Sequence, residues 1–125
     1  MTGNSDVGDN HTLSGDALLD ALNALASPYR LRIIAALVGR RQYVSQLARE
    51  IGMSRPLLHM HLNRLQAAGL ITSTMELSAD GKAMNYLSVA PFAVSLTPAA
   101  IQRAVETLTP RTTGSDQVEH KSEED

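Results

Sequence analysis

The stretch Val44-Ser45-Gln46-Leu47-Ala48-Arg49-Glu50-Ile51-Gly52-Met53-Ser54-Arg55-Pro56-Leu57-Leu58-His59-Met60-His61-Leu62-Asn63-Arg64-Leu65 decides the fold. Leu47, Ala48 and Ile51 share one face of a helix predicted from Val44 to Ile51. Gly52-Met53-Ser54 follows as a three-residue turn, and Gly52 permits a left-handed backbone there. Ser54 is an N-cap, and Pro56 sits in the first helical turn, where its missing N–H costs nothing. Leu58, Leu62 and Leu65 then recur at i, i+4, i+7 as the inward stripe of a second helix. That helix runs to about Ala68, and Gly69 is its natural C-cap. Two helices around a short glycine-containing turn, with a small Ala48 at their crossing, make a helix-turn-helix.

Upstream, Ser14 caps a helix over about Gly15–Ala26, with Asp16 in its first turn and Leu18, Leu19, Leu22 and Leu25 at helical spacing. Ser27-Pro28 opens the next helix, whose apolar face reads as Leu31, Ile34, Ala35, Leu37 and Val38. Arg40-Arg41-Gln42 is a basic connector with strand character. Downstream, Ile71–Leu77 and Ala83–Val89 read as strands around an Ala79-Asp80-Gly81 turn, a hairpin that serves as a wing. Pro91–Leu96 reads as extended, and Thr97-Pro98 starts a last helix to about Leu108 through Ile101 and Val105. The expected fold is mainly α with a small two- or three-stranded β wing: a winged helix-turn-helix of about five helices over residues 14–108. Residues 1–13 and the acidic residues 109–125 are expected to be disordered tails.

Charge is segregated along the chain. Its net charge is −2, yet residues 27–89 hold eight bases (Arg30, Arg32, Arg40, Arg41, Arg49, Arg55, Arg64, Lys82) against three acids (Glu50, Glu76, Asp80), a net +5. The flanking segments are acidic. A basic centre between acidic ends points to a polyanionic partner. The absence of cysteine removes disulfides, thiolate metal sites and thiol nucleophiles. No apolar run is long enough to span a membrane, and Met1–Asn10 does not look like a signal peptide, so a cytoplasmic, nucleoid-associated location is expected. No nucleophile–base set, phosphate loop or metal spacing points to an enzyme or a cofactor.

The chemistry therefore falls on the outer face of the second helix. An α-helix fits the major groove of DNA and reads base edges from its N-terminal turn. Arg55 is the first base reader, because its guanidinium can hydrogen-bond guanine O6 and N7 together. His59 is the second, and Leu57 and Met60 suit a thymine methyl. Ser54, Asn63, Arg64, Lys82 and Arg41 are the expected backbone contacts, Lys82 from the wing. Leu18, Leu22, Ile101, Val105 and Leu108 are the expected dimer contacts, because so small a domain leaves its end helices with more apolar surface than one core can hide.

Leu25-Ala26-Ser27-Pro28-Tyr29-Arg30-Leu31-Arg32-Ile33-Ile34 resembles the opening of ArsR-type (arsenic-repressor-like) regulators. Ser54–Leu65 followed by Ala68-Gly69-Leu70-Ile71 resembles their recognition helix. The likeness covers about residues 18–89. It implies a homodimer built from the first and last helices, binding double-stranded DNA at an inverted repeat as a repressor. It further implies release by an inducer, whose nature as a small molecule or a protein stays open. His61 matches a histidine of that family and reads as a packing residue. The metal sites of the family do not carry over. The segment that holds a cysteine pair in the arsenic and cadmium sensors is Arg41-Gln42-Tyr43-Val44-Ser45 here, and the last helix offers only Glu106 where zinc and nickel sensors place Asp and His. The competing reading is a winged-helix module that binds protein and not DNA, and the +5 centre weighs against it.

Overall fold

The computed structural model describes residues 13–110; the expected tails lie almost wholly outside that range. The element order is α1 (Gly15–Leu25), α2 (Pro28–Leu37), β1 (Gln42–Tyr43), α3 (Val44–Ile51), α4 (Arg55–Ala67), β2 (Ile71–Leu77), β3 (Ala83–Val89) and α5 (Pro98–Val105). The strands form one antiparallel sheet in the order β1-β3-β2. The wing is thus three-stranded, with Tyr43 opposite Tyr86 and Glu76 opposite Met84.

Four helices begin with a hydroxyl that satisfies an otherwise unpaired backbone N–H. Ser14 Oγ accepts from Ala17 N at 3.1 Å, Ser27 Oγ from Arg30 N at 3.4 Å, Ser54 Oγ from Leu57 N at 3.3 Å, and Thr97 Oγ1 from Ala100 N at 3.0 Å. Proline in the first turn of α2, α4 and α5 sets the backbone for entry without removing a bond. α3 starts differently: the Gln46 side chain reaches back to accept from Tyr43 N at 3.2 Å.

The core is aliphatic. Ile33, Leu37, Leu47, Leu58, Leu62, Leu65, Leu70, Ile71 and Leu87 pack together, joining α2, α3, α4 and the base of the wing. Among the described residues two polar side chains are buried, those of His61 and of Gln42. Gln42 Nε2 donates to Ala36 O at 2.9 Å and to Glu50 Oε1 at 3.1 Å, so β1 is latched to α2 and α3 together. Arg40 reaches the same Glu50 oxygen at 2.7 Å.

One expected face and one expected boundary need correcting. On α2 the inward residues are Ile33 and Leu37, while Leu31 and Val38 are 54% and 64% exposed. Apolar side chains occupy nearly every side of this helix, so spacing alone did not select its buried face. The last helix ends at Val105, short of Leu108. The N–H groups of Glu106, Thr107 and Leu108 bond to the carbonyls three residues back, which tightens the final turn.

α1 and α5 are clamped together. Gly15 N donates to Thr107 Oγ1 at 2.7 Å, and Thr109 N donates to Asp16 Oδ1 at 3.0 Å. The approach is so close that a Cβ on Gly15 would stand 2.3 Å from the Ala104 carbonyl oxygen. Only glycine fits there.

Candidate nucleic-acid interface

The geometry of the α3–α4 turn aims the site. Gly52 has φ +79°, in the left-handed region that favours glycine, and both Gly52 N and Met53 N donate to Ala48 O at 2.9 and 3.0 Å. The chain thereby reverses tightly, and α4 begins at once from Ser54. Leu58, Leu62 and Leu65 are buried and hold α4 to the body. Arg55, Leu57, His59, Met60, Asn63 and Arg64 are exposed on the remaining surface of the helix.

Arg55 stands at the centre of this surface. It borders a groove with Ser45, Ala48, Arg49, Gly52 and Met53 on one side. On the other side it borders a groove with Tyr43, Val44, Ser45, Ala83, Met84 and Asn85. The first turn of α4 is thus flanked by α3 and by the wing. Ser45, Arg49 and Asn85 belong to this surface and were not singled out in the sequence. The spacing of Ser45, Arg49 and Gly52 at i, i+4, i+7 was the available signal. Among the described residues, no ion pair engages Arg49, Arg55, Arg64 or Lys82.

Lys82 follows the wing turn, which is held by Ser78. Ser78 N donates to Lys82 O at 2.8 Å, and Lys82 N donates to Ser78 Oγ at 3.1 Å. Ser78 Oγ also hydrogen-bonds Asp80, and that bond, with backbone N–H groups at the turn, keeps the Asp80 carboxyl below the usual carboxylate range.

Arg41, expected at the DNA backbone, has another partner. Its Nη1 and Nη2 donate to Glu76 Oε2 and Oε1 at 2.5 and 3.0 Å, and its guanidinium lies 4.0 Å from the centroid of the Tyr86 ring. The hydrogen bond from Arg41 holds the Glu76 carboxyl below its ordinary range. The two residues are 35 apart in sequence, so no local pattern announced the pair.

His61 packs beneath α4. Its Nδ1 accepts from Arg30 Nε at 3.1 Å, which requires that nitrogen to be unprotonated, and its ring lies 5.7 Å from that of Tyr29. Burial, then the positive charges of Arg30 and Arg64, push its pKa below the usual imidazole value. Arg30 Nη1 also donates to the carbonyls of Asn23 and Ala24 at 3.3 and 3.4 Å, so one arginine ties the end of α1 to α4. Among the described residues, no three His, Asp or Glu side chains group so as to hold a metal ion.

The expected dimer contacts divide. Leu18 is buried within its own chain, and the half-buried Leu108 packs against Gly15 of the same chain. Leu22 is half-buried. Ile101 and Val105 are 46% and 55% exposed on α5, because α5 faces α1 with Ala100 and Ala104 instead. Leu19 on α1 is exposed as well.

Residues 25–74 match the family model of a helix-turn-helix domain. The chain is similar to the nodulation protein NolR of Rhizobium meliloti, at 38% identity over 52 residues, which is 42% of this chain and 43% of the relative. It is similar to the HTH-type transcriptional regulator CmtR of Mycobacterium tuberculosis, at 42% identity over 53 residues, which is 42% of this chain and 45% of the relative. The chain therefore spans less than half the length of these curated relatives. Its fold is that of the homodimeric winged helix-turn-helix DNA-binding domain of a candidate ArsR-family regulator from Mycobacterium bovis. That likeness has a TM-score of 0.55 and 22% identity, and covers 84% of each chain. No described helix is long and apolar enough to cross a membrane.

Proposed function

We propose that this chain, which has a winged helix-turn-helix fold and matches a helix-turn-helix domain model over residues 25–74, is an ArsR-type, sequence-specific double-stranded DNA-binding transcription regulator. One observation carries the reading. The first turn of α4 carries an exposed Arg55 with no hydrogen-bond or ion-pair partner among the described residues, between α3 and the wing, on a helix anchored by buried leucines. That is the placement a side chain needs to enter the major groove ahead of its helix. Arg55 reads a guanine through two hydrogen bonds; His59, Leu57 and Met60 lie along the same groove wall. Ser54, Asn63, Arg64 and Lys82 neutralise or bond phosphates, joined by Arg49.

Ile101 and Val105, exposed on α5, together with Leu22 on α1, pair with a second copy. The two α4 helices then lie about 34–36 Å apart and read the halves of an inverted repeat. Of the two curated relatives, CmtR is named an HTH-type transcriptional regulator, which favours control of transcription here. Repression is the mode we infer, since a dimer seated across a promoter blocks access to it. The metal chemistry of the arsenic and cadmium sensors is not assigned to this chain, because it has no cysteine.

The test is selection of bound duplexes from genomic fragments, followed by affinity measurements on the selected site. Arg55→Ala is expected to weaken binding by about 1–3 kcal/mol and to relax preference at one base pair in each half-site. Unchanged affinity and unchanged base preference in that variant would remove α4 from the groove.

A further inference from the structure

Arg41 from the residue before β1, Glu76 from β2 and Tyr86 from β3 meet on one face of the sheet. The pleat explains why. Tyr43 is opposite Tyr86, and Thr74 is opposite Tyr86 on the other side. Side chains two apart in a strand share a face, so Glu76 lies on the face of Thr74 and Tyr86, and Arg41, just before β1, reaches that face through its contacts with Glu76 and Tyr86. Arg41 closes this row with a two-pronged ion pair to Glu76 at 2.5 and 3.0 Å. Tyr86 supports the guanidinium plane from 4.0 Å, and Tyr43 braces Tyr86 edge-on at 5.7 Å and 87°.

We propose that Arg41 is a positioning residue that masks the Glu76 carboxylate, so that the wing meets DNA without net negative charge. It is not itself a ligand of the phosphates. The inference rests on the DNA-binding reading above. Between Ile71 and Val89 the charged residues are Glu76, Asp80 and Lys82, a net −1. A wing with that balance is repelled by a polyanion, and Glu76 sits one residue before β2 ends at the turn. The positive charge of Arg41 cancels the Glu76 carboxylate at the distance of a hydrogen bond. The remaining pair, Asp80 and Lys82, sums to zero. Arg41 and Glu76 side chains are 47% and 40% exposed, so the pair adds little to folding stability. Its consequence lies in the field the wing presents. The bidentate fork and the aromatic shelf both orient Arg41 toward β2, and a lysine would lack that fixed geometry.

The experiment compares the full chain with Arg41→Ala, Glu76→Ala and the double variant R41A/E76A on one selected duplex at low and moderate salt. Arg41→Ala is expected to weaken binding about fivefold to tenfold at low ionic strength, because the bare carboxylate then faces the phosphates. The double variant is expected to return to within about twofold of the parent, since removing the unmasked charge removes the repulsion. Both positions are surface-exposed, and unchanged thermal melting of all three variants is expected. Arg41→Lys retains the positive charge and is expected to bind within about threefold of the parent. A double variant as weak as Arg41→Ala overturns the inference, because Arg41 would then be touching DNA itself. So would an Arg41→Ala variant with parental affinity. A parent chain that binds no duplex at any salt overturns the DNA-binding reading itself, whereas a parent that binds with an unrestored double variant overturns only the masking role.

Discussion

α4 and α5 begin alike and finish opposite. Each starts with a hydroxyl cap followed by proline in the first turn. α4 then turns Leu58, Leu62 and Leu65 inward and leaves Arg55, His59 and Arg64 outside, whereas α5 turns only Ala100 and Ala104 inward and leaves Ile101 and Val105 outside. The difference lies in what each helix rests upon. α4 covers the aliphatic core formed with α2 and α3, which takes large side chains. α5 lies against α1 at the glycine contact of Gly15, where only small side chains fit. Two helices with the same local grammar therefore offer their surroundings opposite chemistry: one a polar, cationic surface, the other an aliphatic one. The first suits a polyanion and the second suits another apolar face.

The contrast can be broken most sharply at α5. Replacing Ile101 and Val105 together by Asp is expected to abolish self-association, since burying carboxylates in an apolar contact costs several kcal/mol per ion. Sedimentation at micromolar concentration reads the outcome. Both residues are exposed in the single chain, so its helical content is expected to persist. A variant that stays dimeric moves the contact elsewhere, and the exposed Leu31 and Val38 of α2 would be the next surface to examine.

On α4 the matching disruption is internal. Leu62→Ala is expected to lower stability by about 2–5 kcal/mol in denaturant unfolding, the loss typical of a buried leucine in a packed core. Arg55→Ala, by contrast, should leave stability within about 0.5 kcal/mol of the parent while binding falls. If both substitutions cost similar stability, the division between the inner and outer faces of α4 is wrong.

The smallest expected effect is a pH dependence at His61. The folded chain keeps this imidazole neutral below its ordinary titration range, whereas the unfolded chain protonates it there. The unfolded state then binds more protons, so stability rises with pH across that window. The contribution is complete above the unfolded pKa of about 6.5 and is lost as acid carries the pH down through the folded value. His61→Gln, which keeps an acceptor for Arg30, is expected to flatten the change in urea midpoint between pH 7 and pH 5. An unaltered slope would mean that other groups govern acid sensitivity.

Much of the frame was legible because its signals are local. The caps Ser14, Ser27, Ser54 and Thr97 and the wing strands 71–77 and 83–89 each follow from residues within one turn or one strand of themselves. The leucine stripe of α4 was legible for the same reason. α2 was misread because apolar residues surround it, and its buried side depends on where α3 and α4 lie. The packing of Leu18 and Leu108 against their own chain was hidden in the α1–α5 clamp, which joins residues more than 90 apart. The candidate site divided in the same way. Arg55 was legible from its place after a cap, while the commitment of Arg41 to Glu76 and the burial of Gln42 depend on sheet pairing across the chain.

The central claim is that the first turn of α4, flanked by α3 and the wing, enters a duplex groove. Titrating the isotope-labelled full chain with a selected duplex and following backbone amide resonances tests it most directly. The account predicts the largest shifts at Ser45, Arg49, residues 54–60 and the wing turn 78–82, with the buried Leu62 and Leu65 little changed. Shifts concentrated on α2 or on the exposed edge of α5, with residues 54–60 unmoved, would contradict it.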